Sequence, residues 1–298
     1  MAYKRSGKLK NHDGLWGAIF LSPIAIGMIL FILIPIGYAV YLSFTRYDMF
    51  NAPTFVGWRN YQRLFDISKE TQFWSSFKNI FVFAVLITLL NVFVGLVIAC
   101  LLKRGGRIEN FFKVILYLPM VCSVVATTSI WGWMYNSVYG PLIGILKFFG
   151  VERYEFFAPS HVLPSMLLMC LWSGFGGSML LYFAALKNIP GHLYEAAEID
   201  GATPVQSFFK ITLPMVSPTT FYLLLTGLVG SLQAYSQFLA IGLDGYTPVL
   251  VIYKYAGHGY GNTTYGYSCA MGVFYGILIA VIAAINFRLS KFWVGYDV

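Results

Sequence analysis

A chain of 298 residues that is 58% hydrophobic and 11% charged stands far from the roughly 25% charge of soluble domains. That much apolar surface excludes a water-soluble fold and reads as an integral membrane protein. The net charge of +8 does not point to nucleic acid, because the basic residues flank apolar runs and form no groove interleaved with aromatics.

Asp, Glu, Lys and Arg are missing from six runs, 14–45, 79–102, 114–146, 156–186, 211–243 and 255–287. Each exceeds the roughly 20 residues that carry a helix across the hydrocarbon core. Barrel strands would need only about 9–11 residues of alternating polarity. The expected fold is an all-α membrane protein with six transmembrane helices. With the N-terminus inside, twelve Lys and Arg residues fall on cytoplasmic ends (Lys4 to Lys10, Lys103 to Lys113, Lys187, Lys210, Arg288 and Lys291) and eight on outer segments. The positive-inside rule therefore predicts cytoplasmic N- and C-termini and a cytoplasmic 190–212 loop. This divides the chain into a basic tail, 1–13, a six-helix domain, 14–289, and a C-terminal tail, 290–298.

In chain order, the first span (about 14–42) carries Pro23 and Pro35, which predict a kink or tilt. It is too long for a signal-peptide h-region, lacks a small-residue cleavage site, and is expected to remain. An outer loop, 43–75, contains Phe55 to Phe65, whose aromatic and cationic mixture suits a short helix at the outer interface. The second span is about 77–102, and Lys103 to Arg107 form a tight inner turn. The third, about 111–135, is expected to kink at Tyr117-Leu118-Pro119 and to end in Trp131, Trp133, Tyr135 and Asn136. After an outer loop, 137–160, the fourth span (about 161–187) holds Trp172-Ser-Gly-Phe-Gly-Gly-Ser178. The fifth, about 214–240, ends in Gln233-Ala-Tyr-Ser-Gln237. A Gly- and Tyr-rich loop, 242–267, precedes the sixth span, about 268–288.

Between the fourth and fifth spans lies a long run of mixed polarity, Leu193 to Pro214. Pro190 suits a first helical turn, and Glu195-Ala-Ala-Glu198 favours helix. Gly201 can take the left-handed conformation that ends one. Thr203-Pro204-Val205-Gln206 then reads as N-cap to N3 of a second helix, closed by a capping box. Pro214 is expected to end the unit. The prediction is a cytoplasmic helix–break–helix held between two spans.

Nothing in the sequence makes an enzyme. The phosphate-cradling G-x-x-x-x-G-K-[ST] pattern is missing, His12, His161, His192 and His258 are scattered, and no span carries paired carboxylates. Cys100, Cys122, Cys170 and Cys269 lie in apolar spans without metal or disulfide spacing and read as packing residues. An ion-coupled carrier would place an ionisable group in a span; none is present, which argues for energy supplied from outside the chain. The polar and glycine-rich positions in the spans are the binding candidates. The Trp172 to Gly177 run serves either close helix packing or close approach of a ligand. Gln233 and Gln237, expected on one helix face, sit with Tyr235 and Ser236 where an amide in lipid needs a partner or water. Amides, hydroxyls and an aromatic face suit a sugar, so Trp172, Tyr235 and Gln237 form a candidate site. Tyr135 and Asn136 join it at the third span's outer end, where the aromatic cluster fits an interfacial belt as well.

Glu195-Ala196-Ala197, three residues, Gly201, nine residues and Ile211-x-Leu213-Pro214 match in full the EAA loop of permease subunits of ATP-binding-cassette importers. Ile189-Pro190 and Asp200-Gly201-Ala202 resemble the carbohydrate-importer branch, and Phe55 to Phe65 resembles its larger-type permease. The resemblance covers roughly residues 15–295. It implies that the loop is a coupling helix seated in a groove of an ATPase subunit, through Tyr194, Glu195, Ala196, Ala197, Asp200, Gly201, Ala202 and Phe208. It also implies substrate contacts near Gly174, Gly177 and Gln237, while Ala234 and Ser236 depart from the maltose-type pattern, so the cargo need not be the same sugar. The implied partners are a second homologous permease, two ATPase subunits, an extracellular solute-binding protein, the lipid bilayer and a carbohydrate substrate. This chain is expected to hold no cofactor of its own, ATP and Mg²⁺ residing on the ATPase subunits, and to lie in the bacterial cytoplasmic (inner) membrane. A same-superfamily permease for another solute and an ion-coupled carrier are the rival readings.

Overall fold

The computed structural model describes residues 11–68, 70–103, 106–258 and 264–295. Two compact units make up the chain, residues 1–69 with 252–274 and residues 70–251 with 275–298. Among the described residues, four helices are long and apolar enough to cross a membrane, Trp16–Ser43, Thr71–Leu101, Val162–Lys187 and Tyr265–Ser290. Two bent helix pairs bring the number to six if each pair is one span. The molecule is a multi-pass membrane protein.

The first unit opens with α1 (Asn11–Met28), a π-helical turn (Ile29–Leu33) and α2 (Ile34–Ser43). The helix thus begins inside the stretch read as a tail, of which residues 1–10 lie outside the described residues. The wide turn has a local cause: Pro35 lacks an N–H, and its ring crowds the carbonyl of Phe31, four residues back. The loop that follows is more ordered than its sequence suggests. It forms an antiparallel pair, β1 (Thr45–Arg46) and β2 (Thr54–Phe55), then α3 (Arg59–Phe65) in the stretch expected to be helical. The Asn60 amide donates to the carbonyls of Ser43 (2.8 Å) and Thr45 (2.9 Å), and Tyr61 Oη donates to Ser43 Oγ (2.8 Å). Asp48 accepts from the N–H of Asn51 and from its amide, which hold its carboxyl below the usual carboxylate range. The Arg63 guanidinium stacks over the ring of Tyr267, 4.2 Å from its centroid.

The second unit is organised around α4 (Thr71–Leu101). The inner turn after it includes residues 104 and 105, which lie outside the described residues. Next come α5 (Arg107–Val121) and α6 (Val124–Met134), bent by 97°. The third span is therefore not a helix kinked at Pro119. Cys122 and Ser123 are extended (ψ 144° and 147°), and Ser123 Oγ accepts from the N–H of Ala126, capping a new helix. The outer loop 137–160 contains α7 (Pro141–Phe148), and α8 is Val162–Lys187. Then come α9 (Gly191–Ile199), α10 (Pro204–Ser207), a π turn (Phe208–Thr212) and α11 (Leu213–Met215). Pro214 does not end the unit; it sits inside a helical turn, and its ring crowds the Lys210 carbonyl within the π turn. The break falls at Val216, where α12 (Ser217–Leu232) leaves at 61°. Gln233 to Tyr235 interrupt the fifth span before α13 (Ser236–Ile241). The loop 242–267 contains α14 (Pro248–Tyr253) and a π turn (Lys254–His258); residues 259–263 lie outside the described residues. α15 (Tyr265–Ser290) starts earlier than expected and is shared by the two units.

Close approach of α4 and α8 builds the core of the second unit. A β-carbon at Gly95 would lie 2.6 Å from Ser178 Cβ, so only glycine lets the two backbones meet there. Ala99, Met179, Tyr182, Leu186, Val216 and Leu223 are buried around this contact. Tyr182 Oη donates to Thr220 Oγ1 (2.9 Å), which donates to the Val216 carbonyl (3.0 Å), tying α8 to α12.

Candidate functional site

Two features stand out, both within the second unit. The first is the segment from Pro190 to Met215. Pro190 is the N-cap of α9 (ψ 130°) rather than its first residue. Gly201 is left-handed at φ +77°. Its N–H donates to the Glu198 carbonyl (3.0 Å), and that of Ala202 to the Ala197 carbonyl (2.9 Å). This pair of bonds is the Schellman closure that the glycine permits. The capping box forms as the spacing predicts: Thr203 N–H donates to Gln206 Oε1 (2.8 Å), and Gln206 N–H donates to Thr203 Oγ1 (3.3 Å). The two short helices are thus joined through a backbone closure at Gly201 and a side-chain capping box at Thr203.

The segment has an inner and an outer face. Leu193 and Tyr194 pack on the core of the unit. Tyr194 Oη shares a hydrogen bond with Thr212 Oγ1 (2.8 Å), and the Lys103 ammonium sits 4.0 Å from the centre of its ring. Glu195, Ala196, Asp200 and Gly201 are exposed, whereas Tyr194, Ala197, Ala202 and Phe208 are half-buried. Three apolar side chains join the exposed set: Ile199 at 86%, Val205 at 66% and Phe209 at 60% exposure. Sequence reading missed these three, although an isoleucine on the outward face of an otherwise amphipathic helix was a usable signal.

The second feature is a half-open cavity of about 280 Å³ lined by α4, the α5–α6 break, α8, α12 and α13. Its polar lining comes from Asn91, Thr127, Thr128, Ser173, Ser231 and Gln237. The hydroxyls of Thr128 and Ser173 already donate to carbonyls of their own helices. Asn91 Oδ1 is buried with no protein partner.

Among the sequence-predicted contacts, Gln237 lines this cavity. Gln233 does not share its helix: it caps α12 and is exposed, because the chain breaks before α13. Tyr235 and Ser236 lie at that break and start α13, off the cavity wall. Gly174 abuts the cavity from behind, since a β-carbon there would lie 2.9 Å from the Asn91 amide. Gly177 accommodates Met120, 2.7 Å from where its β-carbon would be, so both glycines serve packing. Trp172 packs edge-on against Trp131 (5.8 Å) rather than facing the cavity. Tyr135 is buried, donating its hydroxyl to the Ser165 carbonyl (2.7 Å) and packing its ring on Phe156 (4.7 Å). Asn136 Oδ1 accepts from the N–H groups of Val138 and Tyr139 (2.9 and 3.2 Å), an Asx turn. Sequence reading passed over Asn91, Ser173 and Ser231. Asn91 was findable as an amide in the middle of the apolar run 79–102.

Bent and unbroken apolar helices, a pocket lined without charged side chains and a capped loop between two of the helices suit a transport component of a membrane. The chain belongs to the family of binding-protein-dependent transport system inner membrane components, matched over residues 91–293. It is 32% identical to the probable ABC transporter permease protein YesP of Bacillus subtilis (strain 168), over 99% of this chain and 96% of that protein. It is 28% identical to the diacetylchitobiose uptake system permease protein NgcF of Streptomyces coelicolor, over 90% and 80% of the two chains. Its fold resembles a chain of the bacterial alginate ABC transporter in complex with an alginate pentasaccharide-bound periplasmic protein. There the TM-score is 0.79 at 23% identity, covering 94% of this chain and 95% of that one. This chain is a permease subunit of an importer of the ATP-binding-cassette type, and no hydrolysis is its own.

Proposed function

We propose that the chain is one of two permease halves of a carbohydrate importer, crossing a bacterial cytoplasmic membrane six times. Each bent pair counts as one crossing, both termini are cytoplasmic, and residues 14–289 form the membrane domain. A second, homologous permease completes the pathway, and an extracellular solute-binding protein delivers the sugar. Two ATPase subunits hold ATP and Mg²⁺, since this sequence has no phosphate-cradling glycine loop. The 190–214 segment docks on one of them: Glu195, Ala196, Asp200 and Gly201, with Ile199 and Val205, form the contact, while Tyr194, Ala197, Ala202 and Phe208 shape it from within.

One observation carries this reading. The EAA spacing folds into a left-handed closure at Gly201 followed by a complete capping box, with an outward face both apolar and acidic. A segment locked in this way transmits displacement instead of absorbing it. Carbohydrate cargo is supported by the amides and hydroxyls of the cavity and by the diacetylchitobiose relative.

The test is Gly201→Val. A β-branched residue at φ +77° is a genuine outlier, so sugar uptake should be lost while insertion and assembly persist. Normal ATP-driven uptake by this variant, at normal expression, sinks the docking assignment. Wild-type uptake that survives without ATP and collapses with an ion gradient favours the ion-coupled carrier instead.

A further inference from the structure

We infer that the start of α5 and the end of α8 form a seat for an anionic phospholipid, whose phosphate bridges Lys113 and Lys187. The two lysines reach one ring from different helices. The Lys113 ammonium lies 3.5 Å from the centre of the Phe183 ring, and that of Lys187 lies 4.8 Å from it. An aromatic face attracts each cation but neutralises neither. Among the described residues, neither ammonium has a carboxylate within ion-pair distance. Lys113 donates to Asn110 Oδ1 (2.8 Å), while Glu109, the acid of α5, folds its carboxylate back against Gly106 at the helix start.

A lysine at a membrane edge ordinarily carries its ammonium out to water. Lys113 is instead buried, at 9% exposure, so two like charges converge where a ring and one amide oxygen offset them. A phosphate has the charge and the several acceptor oxygens to receive both ammoniums at once. The seat is also rigid. A β-carbon at Gly176 would lie 2.7 Å from the Leu116 carbonyl oxygen, so α5 and α8 meet backbone to backbone a turn beyond Lys113. Cations fixed in this way lose little freedom when a ligand arrives.

The surface beside the lysines makes that ligand a lipid rather than a small anion. Ile108, Phe111, Phe112 and Ile115 recur at helical spacing and are all exposed, an apolar stripe that begins at the same end of α5 as the cations. Inorganic phosphate covers none of it. Acyl chains lie along it while the headgroup reaches the lysines, the arrangement of basic pockets between membrane helices. Assignment to the inner leaflet rests on the topology proposed above; the binding itself does not.

The full chain, purified in a neutral detergent, can be titrated by native mass spectrometry with phosphatidylglycerol, with phosphatidylcholine of the same chains, and with inorganic phosphate. Phosphatidylglycerol should bind its tightest site about twentyfold more strongly than phosphatidylcholine, and Lys113→Gln or Lys187→Gln should each remove about fivefold of that preference. Lys187→Arg should keep it, and so should Lys291→Gln, which removes an exposed charge outside the seat. Lys187 is exposed, so its variants carry the test if Lys113→Gln lowers the thermal midpoint without lipid. Equal binding of the two lipids, an unchanged preference in Lys187→Gln, or a loss as large in Lys291→Gln overturns the seat, the last by marking general attraction to a basic chain. Displacement of phosphatidylglycerol by inorganic phosphate at equal concentration marks a small-anion site and overturns the lipid assignment. If residue 199 proves to lie outside the cell, the seat moves to the outer leaflet and these affinities stand.

Discussion

At the scale of single residues, the fourth span shows that small side chains are placed for their neighbours. Gly95 faces Ser178, Gly176 faces the Leu116 carbonyl and Gly177 faces Met120. In lipid no hydrophobic force drives one apolar helix onto another, so close packing and buried hydrogen bonds must hold them. Gly95→Val should therefore separate α4 from α8, where a new β-carbon would also come within 3.0 Å of the Met179 backbone nitrogen. Overpacking of this kind costs about 1–3 kcal/mol. The expected result is a lowered thermal midpoint of the purified assembly, partly restored by adding Ser178→Gly; no shift in the midpoint removes the close-approach account. The same scale separates useful from misleading cues in the sequence. Tyr135 and Asn136 combined the right chemistry for a sugar, yet the Tyr135 hydroxyl donates to a distant carbonyl and the Asn136 side-chain oxygen accepts from the local backbone. The bond from Tyr135 to the Ser165 carbonyl, thirty residues away, is not written in its own neighbourhood.

Among elements, the segment between α8 and α12 is the part most legible from sequence, because every feature that shapes it is local. A capping box and a left-handed C-terminal glycine act over three to five residues, and both formed where the residues stood. The fifth span was misread for the opposite reason. Its apolar run continues smoothly past Leu232, and neither proline nor glycine marks the break at Gln233 to Tyr235, so two glutamines expected on one face part company. The 97° bend at Cys122 and Ser123 was hidden in the same way, with Pro119 drawing the kink three residues too early. Thr203→Ala tests the mechanical importance of the box. Losing an N-cap costs about 1 kcal/mol, enough for a roughly fivefold shift in a local equilibrium. Sugar moved per ATP hydrolysed should fall severalfold with the assembly intact, and an unchanged ratio means that α10 is held in place by something other than its cap.

For the whole molecule, composition and hydropathy were enough to find the class of protein and where the chain meets lipid. They did not reveal the two bent helix pairs, since bending leaves the count of apolar residues unchanged. Sidedness has a simple measurement. Ile199, 86% exposed at the tip of α9, replaced by cysteine, should react with a membrane-impermeant maleimide in inverted vesicles and not in intact cells. Labelling from outside the cell reverses the topology and removes the docking role of the segment.

The uncharged wall of the cavity carries one more consequence. An electric potential across a bilayer performs work only on charge, about 2.3 kcal/mol per elementary charge for each 100 mV. A neutral solute beside Ser173 and Gln237 would offer that field nothing to grip. Along this lining, any coupling to the membrane voltage would have to come from charge that the solute itself carries.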